Sequence, residues 1–250
     1  MEEALDRYEA ALEPERRLVT GDRVLARLLA PDCESDLFAR WFLRAGAHGV
    51  YLSRHEGWWL LDESPGNRPA ETGRPGEAPD ADAPGADSPG MDTVAMLLES
   101  VHAAADWWQV RYGERPDVEA LLATPPPAAA EFYVRLRENV VRGPAPYCGA
   151  AVDYEVARVL VTAGPALLEN CRRVFGRDSG CCGFLAALIG RQGGQLSLRR
   201  HRLGSCLTGH PDALGRMTAV GKTALACSAE FLTECWDLAR ADLEAGGKAR

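Results

Sequence analysis

No run of apolar residues in this sequence approaches the roughly 20 needed to cross a bilayer as a helix. No basic segment followed by an apolar core opens the chain as a signal peptide would; its first residues, MEEALDRYEAALEPERR, are acidic and amphipathic. No convincing stretch alternates apolar and polar residues, so strands are not expected. None of the eight cysteines stands in a CxxC pair, which removes zinc ribbons and thioredoxin-like motifs. Basic charge is in deficit: 28 Lys and Arg against 36 Asp and Glu give a net charge of −8 and a pI near 5.2. That balance argues against nucleic acid or an anionic membrane as partner. The expectation is a cytoplasmic, soluble chain without a nucleic-acid or membrane partner.

What is present is apolar residue content of 46% over 250 residues, enough to fill a real core in one large domain or two small ones. The organisation read from the sequence is N-terminal helices over 1–61, a flexible Pro/Gly/acidic linker over 62–92, a main helical bundle over 93–245 and a tail over 246–250. Glu2 to Leu12 reads as a short helix stopped by Pro14. Thr20 is expected to cap a second helix through Leu29, and Asp32 a third from Cys33 to about Ala45. Between Asp62 and Gly90, prolines at 65, 69, 75, 79, 84 and 89 alternate with Gly, Ala and acidic residues. No apolar face can be drawn there, so the ordering entropy has nothing to offset it.

Asp92 caps the next predicted helix, Thr93 to Tyr112, with Val94, Leu97, Leu98, Val101, Ala104, Ala105 and Trp108 as its apolar face. Short helices follow to Ala123 and over Ala128 to Val141, the latter with Phe132, Leu136 and Val140 facing inward. The two long runs GAAVDYEVARVLVTAGPALLENCRRVF and SGCCGFLAALIGRQGGQLSLRRHRL form the centre, with a kink expected at Gly164-Pro165. A last helix runs from Asp212 to about Glu244. The fold class is all-α.

Chemistry-bearing groups recur on three of these helices. Glu99, His102 and Asp106 lie on or beside the apolar face of one. Glu155, beside Tyr154, stands mid-helix on the second. Leu188, Gln192 and Gln195 share one face of the third, because residues four and seven apart stack together. A lone helix carboxylate is ordinarily solvated or ion-paired, and Arg199, Arg200 and His201 supply counter-charges. His48, His55, His201 and His210 read as caps or surface groups. The cysteines at 33, 148, 171, 181, 182, 206, 227 and 235 read as small core hydrophobes. The CCG at Cys181–Gly183, with Cys148 upstream, is similar to half of the cysteine-rich iron–sulfur modules of heterodisulfide reductases, whose downstream CxxC is missing.

The order and spacing of Glu99, Asp106, Glu155 and the Leu188–Gln192–Gln195 stripe resemble the haem-oxygenase-like, TenA/PqqC-type helical fold, in particular its iron-dependent oxidase branch. GPAPYCGAAVDYE, TAGPALLENCRRVFG and CLTGHPDALGRMTAVGKTALACSAEFL also look like that fold's later helices, so the likeness spans roughly Met91 to Leu243 and, more faintly, the helices of Leu18 to Leu61. It implies a haem-oxygenase-like bundle, with a carboxylate followed by His on one helix, a lone Glu on the next and an HxxxDxxH-type stripe on the third. Glu99 matches the first carboxylate, Asp106 stands where that helix's His would be, and His102 offers an imidazole one turn earlier. Glu155 matches the lone Glu. Leu188, Gln192 and Gln195 replace both histidines and the carboxylate of the stripe, and such side chains are poor donors for iron that must bind oxygen.

Three functions follow from the likeness. The first is an iron-dependent oxidative enzyme acting on a small amino-acid-like or acyl metabolite, with Glu99, His102, Asp106 and Glu155 as metal ligands. Tyr154, Leu188, Gln192 and Gln195 would then line the substrate pocket. The second is a metal-free, degenerate member, a binding subunit or the partner of a paralogue or of a second copy. The third is a cofactor-free enzyme in which Glu155 is a buried base or one of Cys148, Cys182 and Cys206 a nucleophile.

Overall fold

The computed structural model describes residues 1–56 and 89–247. Among the described residues every element is helical: α1 (Glu2–Thr20), α2 (Arg23–Leu29), α3 (Ser35–Glu56), α4 (Pro89–Tyr112), α5 (Val118–Ala123), α6 (Ala128–Arg142), α7 (Gly149–Phe175), α8 (Gly180–Gly209) and α9 (Leu214–Gly247). Short 3-10 turns at Pro146–Cys148 and Pro211–Ala213 lead into α7 and α9. The linker expected over 62–92 lies outside the described residues, apart from Pro89–Asp92, which open α4 four residues before the expected start at Thr93.

α1 and α3 run well past the stops the sequence suggests. α1 runs through Pro14 instead of stopping there. Leu5, Tyr8, Leu12, Arg16 and Val19 are buried along one face of it, so packing on both sides of Pro14 outweighs the lost hydrogen bond. α3 runs through Gly46 and Gly49, which let α4 approach closely: a Cβ at Gly46 would lie 2.6 Å from Val101 Cγ2, and one at Gly49 would lie 3.1 Å from Leu97 Cδ2. The cap of α2 is Asp22, whose carboxylate accepts from the Val24 and Leu25 amides at 2.8 and 2.9 Å. Thr20 instead donates back to the Arg16 carbonyl.

α7 and α8 pack along each other, α3 lies against α4 and α9, and α9 also touches α1, α6 and α7. α4 turns Leu97, Val101, Ala104, Ala105 and Trp108 inward, as its periodicity predicts. On α6 the inward face is rotated: Tyr133, Val134, Arg137 and Val140 are buried while Phe132 is 55% exposed. Trp107 of α4 and Phe42 of α3 both meet Phe175 of α7 edge-on, with ring centroids 5.2 Å apart. Seven of the eight cysteines are buried and all are free thiols, in keeping with their reading as core residues.

Candidate functional site

Glu155 is the seventh of the 27 residues of α7, and its side chain is wholly buried. A carboxylate in that position demands a partner, because an unpaired buried charge is very costly. The partner is Arg16 of α1. Its Nε donates to Glu155 Oε2 at 2.9 Å and its Nη2 to Oε1 at 2.6 Å, a two-pronged guanidinium–carboxylate pair. Arg16 Nη1 turns the other way and donates to Glu9 Oε2 at 2.5 Å. Glu9 also accepts from the Tyr154 hydroxyl at 2.5 Å and from Arg158 Nη1 at 2.8 Å. The Arg16–Glu155 pair is buried, whereas Glu9 and Arg158 are partly exposed and Arg200 Nε also lies 3.8 Å from Glu9 Oε1.

The electrostatics follow from this packing. Burial alone would raise the Glu9 carboxyl, but the Tyr154 hydrogen bond and the charges of Arg16 and Arg158 hold it below the usual carboxylate range. Burial would lower Arg16, yet its bonds to Glu155 and Glu9 raise it. Tyr8, buried beside the same carboxylate, is pushed well up by burial and then by the Glu155 charge. Gly221 of α9 closes this centre: a Cβ there would collide with the Tyr8 hydroxyl and lie 3.5 Å from Glu155 Cγ.

The ligand set implied by the sequence is not assembled. Glu99 and Asp106 are exposed and His102 half-buried, because the inward residues of α4 are its apolar ones. Arg115 Nε donates to Asp106 Oδ1 at 2.7 Å, and Arg115 Nη2 donates to His102 Nδ1 at 3.2 Å. Among the described residues no three His, Cys, Asp or Glu side chains stand close enough to hold a metal ion. With Glu155 already bound in two-pronged fashion, the residues present do not fit an iron centre. The same pairing argues against Glu155 as a free general base.

The stripe on α8 has the register the sequence assigns. Leu188 and Gln192 are buried, and Gln195 is half-buried. Gln195 Oε1 accepts from Arg199 Nη2 at 3.2 Å, while Arg199 Nη1 donates to the Asp153 carbonyl. Leu188 lines an apolar cavity of about 130 Å³ between α3, α6, α7, α8 and α9. Its walls include Leu52, Tyr133, Val156, Val159, Leu160 and Phe231. Two of its polar groups are muted: Ser228 donates to the Ala224 carbonyl at 2.9 Å, and burial pushes the Cys227 thiol up to about 11. Tyr154, expected in a pocket wall, instead serves the Glu9 network.

Of the remaining candidates, Cys148 is buried and Cys206 half-buried, and burial raises both thiols above their ordinary value, away from nucleophile duty. His55, His201 and His210 are exposed, His210 stacking on Tyr147 with centroids 3.9 Å apart. His48 is not a surface group: it is 1% exposed, and burial together with Arg44 lowers it to about 4. Sequence reasoning missed Arg16 and Glu9 altogether. The signal for Arg16 was its place on the apolar stripe of α1 with Leu5, Leu12 and Val19, where a charged residue needs a buried partner.

The helical bundle has a haem-oxygenase-like fold, as its likeness to a solved structure shows. The chain is similar, at 13% identity and a TM-score of 0.52, to the crystal structure of a domain of unknown function with a heme oxygenase-like fold from Shewanella denitrificans OS217. The match covers 96% of this chain and 91% of that one. No protein-family model and no curated protein matches the chain. Among the described residues no helix is long and apolar enough to cross a membrane.

Proposed function

We propose that this chain is a metal-free binding member of the haem-oxygenase-like fold, which receives a compact apolar molecule, or the apolar end of an acyl metabolite, in the cavity beside Leu188. The carrying observation is the pairing of Arg16 with Glu155, which gives the α7 carboxylate an internal cation where an iron-dependent relative would need an open ligand. The cavity supports the binding half of the reading. At about 130 Å³ it has room for a benzene-sized molecule, and its half-buried walls at Val156, Val159 and Leu160 leave it open on one side. The iron-dependent oxidase reading is disfavoured by the same donors, since Asp106 is engaged by Arg115 and Glu99 faces solvent.

The test measures iron content and ligand binding on one preparation. Protein from iron-supplemented cells should contain far less than one iron per chain. Its melting temperature should rise on titration with toluene, and Leu188→Trp, which fills the cavity, should remove that rise while the protein stays folded. Stoichiometric iron, or a toluene response unchanged by Leu188→Trp, overturns the proposal.

A further inference from the structure

Two of the buried thiols touch. Cys171, near the end of α7, and Cys182, in the first turn of α8, place their Sγ atoms 3.2 Å apart. They flank the turn that joins the two helices, where Gly176 ends α7 with φ of 91° and Ser179 caps α8 by accepting from the Cys181 amide. The start of α8 is anchored from α4 as well, the Ser100 hydroxyl donating to the Gly180 carbonyl at 3.0 Å. Closing to a disulfide needs the sulfurs to approach by only about 1.1 Å, to the bond length of roughly 2.05 Å. Neither cysteine takes part in the Arg16–Glu155 centre or lines the cavity.

The two thiols are not equivalent. Cys182 is the third residue of the 30-residue α8, is 4% exposed, and its Sγ donates to the Gly176 carbonyl at 3.5 Å. Cys171 is held protonated by burial and then by its contact with Cys182. Gly176, Arg177 and Asp178 of the turn are exposed while Cys182 lies buried beneath them, so a small oxidant reaches Cys182 only when the turn opens. Cys181, next in sequence, is wholly buried.

We propose that Cys171 and Cys182 form a reversible dithiol–disulfide couple, oxidised by a small hydroperoxide and reduced by a low-molecular-weight thiol. With hydrogen peroxide as oxidant, the Cys182 sulfur attacks one peroxide oxygen as its thiol proton leaves; the O–O bond breaks, Cys182 becomes a sulfenic acid, and the departing hydroxide takes that proton to leave as one water. The Cys171 thiol then attacks that sulfur; the S–S bond forms, the S–O bond breaks, and the Cys171 proton departs with a second water. In total the two thiols lose two electrons and two protons, and the peroxide becomes two waters. Two equivalents of external thiol reverse the oxidation by exchange, leaving their own disulfide.

The full-length protein is treated with hydrogen peroxide under native conditions and then unfolded in denaturant containing N-ethylmaleimide to block every free thiol, and its peptides are mapped by mass spectrometry. The expected result is one cross-link, Cys171 to Cys182, with six of the eight cysteines alkylated, fully reversed by dithiothreitol. In Cys171→Ser the cross-link is absent and dimedone traps a sulfenic acid at Cys182. Cys181→Ser leaves the cross-link intact. Eight alkylated cysteines after peroxide treatment overturn the proposal, as does a disulfide with Cys181 or Cys206 in place of one partner. A Cys182 that goes straight to sulfinic acid in the wild type overturns it too. The wild-type map is decisive even if a serine variant does not fold.

Discussion

Arg16 and Glu155 stand 139 positions apart in sequence and meet through two hydrogen bonds of 2.9 and 2.6 Å in the interior. The pair joins α1 to α7 and sets the character of the whole centre. A carboxylate held this way is neither a vacant ligand nor a free base, and an arginine so held cannot leave without stranding it.

The energetic consequence is asymmetric. Arg16→Ala should destabilise the protein by roughly 3–5 kcal/mol, because it leaves a buried charge unpaired, whereas replacing both partners by apolar residues removes the demand along with the supply. Arg16→Met with Glu155→Leu should therefore recover most of the loss. Urea unfolding of the two variants and the wild type checks this; a double variant no more stable than Arg16→Ala would count against the pairing.

Gly221 is expected to tolerate no side chain while Tyr8 is present. Gly221→Ala gains up to about 1 kcal/mol of helix propensity but drives a methyl group into the Tyr8 hydroxyl, and overpacking costs typically 1–3 kcal/mol. The net effect should be destabilising. Tyr8→Phe in the same chain removes the colliding atom and should restore the melting temperature, whereas additive losses would place the clash elsewhere.

His48 predicts a pH dependence. Its folded value of about 4 lies below the ordinary 6.5, so between these values the unfolded chain binds a proton that the folded one excludes. Its stabilising share is complete above pH 6.5 and falls as pH drops towards 4, by a total on the order of 3 kcal/mol. Glu9, also depressed, adds its own loss as pH falls below its ordinary 4.5 through its folded value. His48→Leu should flatten the stability profile between pH 6.5 and 4 while leaving the steeper acid limb; an unchanged profile would clear His48 of the effect.

The flank of α4 should be nearly silent. Asp106 and Arg115 form an exposed pair, and exposed pairs contribute about 0–1 kcal/mol. Asp106→Ala and Glu99→Ala should each leave stability within about 0.5 kcal/mol of wild type. The toluene response should not change either. A large loss of iron content in these variants, relative to a measurable wild-type value, would return them to a metal site.

The sequence by itself determined the all-α class and most helix ends. Three-to-four-residue apolar spacing placed α4 through α9, and the register of Leu188, Gln192 and Gln195 followed from i, i+4, i+7 stacking within one helix. These are local properties, carried by neighbours a turn away. Tertiary structure decided everything that joins distant segments. It carried α1 through Pro14 and α3 through two glycines, because packing against α4 and α9 outweighs local propensity. It turned Phe132 outward, since the rotation of α6 is set by its neighbours. Above all it gave Glu155 its partner. Nothing local to the α7 sequence names Arg16, and whether a buried carboxylate meets an iron, a substrate or an arginine depends on which helix the fold lays across it.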